Sequence, residues 1–121
     1  DVCLVEGDPD RLQQVVINLL DNAIKFNREG GVITLKTWLH KDNVFVKIAD
    51  QGSGIPKEEA VHIWEPFYQI DKSRSKKKSG TGLGLSIVKK IIEEHGQDIW
   101  LNSEEGKGSA FIFSLKAVKK Q

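Results

Sequence analysis

The sequence predicts a single two-layer α/β sandwich, α+β in the order of its elements, and three observations predict it. Strand-like and helix-like patterns alternate with no internal repeat and no long linker between them. The two long amphipathic stretches are each closed by glycine, at Gly30 and Gly31 for the first and at Gly96 for the second. The 121 residues, 39% hydrophobic and 29% charged, suffice for one real core but not for two.

The elements follow in order. Asp8 and Pro9 supply an N-cap and a first helical residue, and Leu12, Val15, Val16, Leu19, Leu20 and Ala23 recur at helical spacing as far as Phe26. Strands are expected from Val32 to Leu39 and from Val44 to Ala49, joined by a hairpin turn over His40 to Asn43. A short helix starts after Pro56 and reaches Ile63. From Glu65 to Gly80 the pattern is lost, leaving a long polar connection of a kind that is usually functional. A helix from Leu83 to Glu94 and strands Ile99 to Asn102 and Ser109 to Leu115 complete the layers.

Composition narrows the function classes. Eighteen Lys and Arg against seventeen Asp and Glu leave a formal charge of +1, so no global field points to nucleic acid or an anionic membrane. Cys3 is the only cysteine, which excludes an internal disulfide and any multi-cysteine metal site, fits a reducing compartment, and reads as a small apolar residue. No run approaches the roughly 18 apolar residues of a membrane span, and no signal peptide opens the chain. The chain contains no Met, even at position 1, so a segment of a longer protein is expected.

Three clusters carry chemistry. On the first helix Asn18, Asn22 and Lys25 form a narrow polar strip away from the apolar face, with Phe26 at the border. Asn is a poor helix-interior residue, so the strip is either a solvated face or a functional one. In the functional case the amides face a hydrated Mg²⁺, which takes few protein oxygens, and Lys25 neutralises phosphate. In "VKIADQGSGI", Asp50 continues the inward phase of Val44, Val46 and Ile48. An inward carboxylate needs a donor; an adenine amino group supplies one, whereas a guanine carbonyl opposes acceptor to acceptor. Gly52 and Gly54 then let the backbone approach a planar base, although Asp followed by glycine is also an ordinary turn. In "KKKSGTGLGLSIVKK", Gly80, Gly82 and Gly84 alternate ahead of a helix, where exposed N–H groups suit phosphate oxygens. The spacing is neither a P-loop nor the dinucleotide fingerprint. Seven Lys and Arg and no acid lie between Lys72 and Ile92, which fits a cationic lid or a solvated face.

Five blocks, in order, resemble the ATP-binding catalytic domain of sensor histidine kinases, within the wider family of gyrase, Hsp90 and MutL. "NLLDNAIKF" is similar to the N box, "DQGSG" to the first glycine box, "WEPFYQID" to the F box, "GTGLGLSIVKKIIEEHG" to the second glycine box, and "EEGKGSAFIFSL" to the closing strand pair. The resemblance implies a Bergerat fold spanning residues 1–121 as one domain, with three helices on one face of a mixed sheet of about five strands and a mobile ATP lid at about 66–82. By position, Asn22 ligates Mg²⁺ with Asn18 assisting, and Lys25 contacts phosphate, these three being the catalytic set. Phe26 lies against the nucleotide, and Asp50 accepts the adenine amino hydrogen. Gly52, Gly54 and Ile55 line the base, while Gly80, Thr81, Gly82, Leu83 and Gly84 hold the phosphates. Arg74 and Lys76 to Lys78 contact phosphate or close the lid, which Phe67 and Tyr68 anchor. Departures are Trp64 for Phe, Gln97 for a second glycine, and Ala110 for a hydroxyl residue.

The implied activity is transfer of the γ-phosphoryl group of Mg-ATP to a histidine on a separate dimerisation domain preceding residue 1, and through it to a response regulator. None of His40, His62 and His95 sits in the acidic-flanked helical context of that acceptor. The expected partners are thus ATP or ADP, the dimerisation domain and the regulator, with no nucleic acid and no direct membrane contact. The expected setting is a cytoplasmic domain, monomeric alone, in a homodimeric membrane sensor. Three alternatives use the same residues: an ATPase of the gyrase and Hsp90 type, disfavoured because Asn18 stands where a water-activating Glu is usual; a serine kinase of the anti-sigma type; and a basic nucleic-acid module over Lys72 to Lys90, which lacks interleaved aromatics.

Overall fold

In this computed structural model residues 4–68 and 84–118 are described. Helix α1 spans Pro9–Phe26, α2 Lys57–Ala60 and α3 Gly84–Glu94; the strands are β1 Thr34–His40, β2 Asn43–Ala49, β3 Ile99–Glu104 and β4 Gly108–Lys116.

The α1 helix begins as its sequence requires. The Asp8 carboxylate accepts the Asp10 and Arg11 backbone N–H groups at 3.0 and 3.3 Å, satisfying two donors that have no partner inside the helix. Val15, Leu19 and Ala23 are its buried stripe, and Val88, Ile91 and Ile92 are that of α3. The two helices pack side by side, α1 over β2 and α3 over β4. Arg11 Nη2 bonds Glu94 Oε1 at 2.8 Å where the start of α1 meets the end of α3. His95 bridges the same ends. Its Nε2 accepts the Asp8 N–H at 3.1 Å, and its Nδ1 donates to the Ile91 carbonyl at 2.8 Å.

The sheet order is β1-β2-β4-β3. Val44, Val46 and Ile48 lie opposite Leu115, Phe113 and Phe111, so one alternating face of β2 and β4 meets the helices. The expected two layers are present, with two differences in the sheet. It has four strands, and all its pairings are antiparallel among the described residues. The chain enters the far edge as β3 and turns back, so the returning arm β4, not β3, lies against β2. In place of a fifth strand, an isolated antiparallel bridge joins Val5 to Ala117. Helix α2 stops at Ala60, short of Ile63.

On the open face Trp38 stacks on Phe45 at 5.6 Å between ring centroids, and Phe45 lies 6.1 Å from Trp100. β1 is exposed along its whole length, beyond the helix layer. Trp64 meets Phe111 edge-on at 5.8 Å under the Lys89 ammonium, so the Phe-to-Trp exchange keeps an aromatic in the core. Gln97 takes a hydrogen bond from the Ser114 hydroxyl at 2.8 Å.

Candidate functional site

A cleft of about 610 Å³ opens at the end of the sheet where β2 finishes and β4 begins. Asn22 and Phe26 of α1 form one wall. The turn Asp50, Gln51, Gly52, Ser53, Gly54 and Ile55 forms another, with Ser109 at its base and Glu105 and Gly106 at its rim.

Asp50 holds the place that strand alternation assigns it. Its backbone N–H donates to the Ser109 carbonyl at 2.8 Å, and its Oδ1 accepts the Gly52 N–H at 2.8 Å. Burial pushes its carboxyl above the ordinary 3.8, opposed by backbone N–H groups of Gly52 and Ser109. One carboxylate oxygen therefore serves the turn, and the group retains acceptor capacity for a ligand.

The glycines of the turn do more than clear room for a ligand. At Gly52 a Cβ would run into the Phe26 carbonyl oxygen, so its absence lets the turn pack onto the end of α1. Gly54 has φ +76°, and a Cβ there would meet the Glu104 carbonyl at the β3–β4 turn. The Gly106 N–H donates to the Ser53 carbonyl at 2.7 Å, tying that turn to the cleft rim. Below it the Ile55 N–H donates to Ser103 Oγ at 2.7 Å, which lies 3.0 Å from Ser109 Oγ.

The remaining assigned residues divide. Asn18 lies one turn before Asn22 on the same helix, half-buried but outside the cleft wall. Lys25 is paired with Asp21 at 3.0 Å and does not line the cleft. Gly84 opens α3, and among the described residues no atom lies within 4 Å of where its Cβ would stand. Arg74, Lys76 to Lys78, Gly80, Thr81, Gly82 and Leu83 lie outside the described residues, as do Cys3 and all of the expected lid beyond Tyr68. Tyr68 is anchored by Glu59 at 3.2 Å and stacks on His62 at 5.3 Å, whereas Phe67, at φ +66°, is 70% exposed.

A family model described as histidine kinase-, DNA gyrase B-, and HSP90-like ATPase matches residues 7–119. The chain belongs to this family. Within it the chain is similar to the sensor histidine kinase WalK of Bacillus subtilis, 40% identical over 119 residues, 97% of this chain and 20% of WalK. It therefore spans about a fifth of that relative. Among solved structures it is similar to the mycobacterial sensor histidine kinase MprB (TM-score 0.87, 31% identity, 98% of this chain and 80% of that one). It is also similar to the catalytic domain of histidine kinase ThkA (TM-score 0.79, 40% identity, 93% and 71%). The chain is thus an ATP-binding catalytic domain of the bacterial histidine kinase type.

The cleft wall also holds residues that sequence reasoning missed: Asn27, Arg28, Glu29, Gln51, Ser53, Pro56, Glu59, Glu105, Gly106 and Ser109. Ser109 carried a readable signal. It shares the inward phase of Phe111, Phe113 and Leu115, where a hydroxyl on an apolar strand face is out of place, as Asp50 is on β2. Asn27 and Glu105 carried none, because their positions depend on how loops meet.

Proposed function

We propose that this domain binds Mg-ATP in the cleft and delivers the γ-phosphoryl group to a histidine on a separate dimerisation domain, which passes it to a response regulator. The observation that carries the reading is Asp50. It is a half-buried carboxylate with spare acceptor capacity, on the floor of a cleft whose other wall presents a helix-borne amide. An adenine amino group satisfies that carboxylate, and the triphosphate then runs along α1 toward the start of α3.

The donor set fits magnesium. Magnesium, a hard cation that keeps several waters and takes few protein oxygens, would be held by the amide oxygen of Asn22 on the cleft wall, with Asn18 one turn behind it on the same helix. When bound, the ion neutralises charge on the phosphates during transfer. The chain's own residues position the nucleotide. Asp50 reads the base, Phe26 lies beside it, Gly52, Gly54 and Ile55 shape its seat, and Asn22 orients the phosphate end. Lys25 reaches phosphate by releasing Asp21, an exposed i,i+4 pair worth about 0.3–0.5 kcal/mol and easily exchanged. Arg74 and the glycines Gly80 to Gly84 complete the phosphate end in this reading.

None of His40, His62 and His95 lines the cleft, which supports an acceptor on another domain. Among the described residues no helix is long and apolar enough to cross a membrane. In this reading the domain works in the cytoplasm, where ATP is available, and its proposed setting is beside a dimerisation domain in a membrane-bound homodimer.

Calorimetric titration with ATP, ADP and GTP, with and without Mg²⁺, tests the reading. ATP and ADP bind, Mg²⁺ strengthens ATP, GTP is rejected, and Asp50→Ala abolishes binding. A folded sample indifferent to millimolar ATP overturns it.

A further inference from the structure

The base-reading turn and the metal-bearing helix are far apart in sequence, yet a nucleotide that spans them needs their separation fixed. The structure holds them together through one side chain. Asn27 follows the last residue of α1 and leaves the helix with an extended backbone, φ −70° and ψ 154°. Its Oδ1 accepts two backbone N–H groups, from Arg28 at 3.0 Å and from Gln51 at 2.9 Å. The second bond crosses 24 residues to the position between Asp50 and Gly52. Room for that oxygen is built in: a Cβ at Gly31 would collide with it.

Two further contacts run in parallel. Gln51 Oε1 accepts from Arg28 Nη2 at 3.1 Å and from the Val32 N–H at 3.0 Å, so the side chain of the turn is tied to the segment that leaves α1. Gly52 sits on the Phe26 carbonyl, where no Cβ fits. The Asp50 carboxylate is held by the Gly52 N–H, one residue beyond the bond to Asn27. Its aim thus depends on where Gln51 is pinned.

We infer that Asn27 is a positioning residue for nucleotide recognition: by accepting the Gln51 N–H it sets the direction of the Asp50 carboxylate relative to Asn22, and so sets the preference for adenine. This rests on the reading of the cleft as an adenine site. Asn27 also lines the cleft, so a direct contact from its NH₂ group to the ligand is the rival account. The two separate cleanly. Positioning uses only the side-chain oxygen, which aspartate also supplies, whereas a direct contact uses the NH₂ group, which aspartate lacks.

The test is calorimetry on the whole 121-residue chain with Mg-ATP, Mg-GTP and magnesium tripolyphosphate, for Asn27→Ala, Asn27→Asp and Asp50→Ala, with circular dichroism to verify folding. In Asn27→Ala, ATP weakens about tenfold, the scale of one ordered hydrogen bond, and ATP-over-GTP discrimination narrows by a similar factor, while tripolyphosphate is unchanged. Asn27→Asp restores most of the discrimination. The inference is overturned if Asn27→Ala keeps wild-type discrimination, if ATP and tripolyphosphate weaken equally, or if Asn27→Asp fails to rescue. Should Asn27→Ala not fold, Asn27→Asp decides alone, support coming from retained discrimination and refutation from its loss. Asp50→Ala distinguishes the two layers. If it leaves ATP binding intact the adenine reading itself fails; if it abolishes binding while Asn27→Ala does nothing, only the positioning role falls.

Discussion

At the scale of single residues, Asp50 is a group whose placement opposes stability, and its role in the proposed function is to accept the adenine amino hydrogen. Burial raises its carboxyl above 3.8, so the folded protein holds a proton there more tightly than the unfolded chain. The sign follows: between 3.8 and the raised folded value, stability falls as pH rises, and at neutral pH the ionised group is a net cost. Asp50→Asn removes the charge while its amide oxygen still accepts the Gly52 N–H, which turns the NH₂ group toward the cleft. Thermal melts are expected to show the variant more stable than wild type at neutral pH, with the difference shrinking as pH falls toward 3.8. ATP binding falls in the same variant, because donor then faces donor. A variant that is less stable at neutral pH contradicts the assignment of burial as the dominant cause. Asp50 was legible because strand alternation carried its phase inward. Gly52 was legible as a special position, but its reason was not: the clash it avoids is with the Phe26 carbonyl, a neighbour that only the assembled fold supplies.

Elements show a similar division. α1 and α3 were readable to within a residue or so at their described ends, since a 3.6-residue period runs along both, Asp8 and Pro9 open α1, and Gly96 at φ +72° follows α3. The seam between them is where their stability lies. Leu19 is fully buried there, and Leu19→Ala is expected to cost about 2–5 kcal/mol in chemical denaturation, at the upper end if the packed seam cannot relax. A loss below about 1 kcal/mol shows that the two helices close over the gap. β1 was readable as a strand but not as an edge strand lying beyond the helix layer. Leu35 and Leu39 share one face of β1 with Thr37 between them, a pattern that marks a strand; how far the helix layer extends above it is not encoded in sequence periodicity. The short helix after Pro56 ended early because residues 61–64 turn to place Ile63 and Trp64 against the core.

For the whole molecule, the sheet has two structurally distinct ends. Asp50, Ser109 and the cleft occupy one end. The β1–β2 hairpin, the bridge from Val5 to Ala117, and the His95 link between Asp8 and Ile91 occupy the other. His40 pairs with Asn43 at the hairpin, six positions along β1 from Thr34, which lies beside Ala49 at the cleft end. That places it roughly 20 Å from the cleft-lining turn at about 3.3 Å per residue. His95 is engaged through both ring nitrogens at the same far end, and His62 is bound to Glu65 at 2.6 Å. None of the three histidines lines the cleft, and His40 and His95 lie toward the opposite end of the sheet from it. Incubation of the chain with ATP radiolabelled at the γ-position is expected to leave it unlabelled. Adding a separate, helical, histidine-bearing dimerisation domain from a sensor kinase of the WalK type is expected to yield acid-labile label on that second protein, and Asn22→Ala is expected to suppress it. Acid-labile label on this chain by itself contradicts the reading, because none of the three histidines lines the cleft.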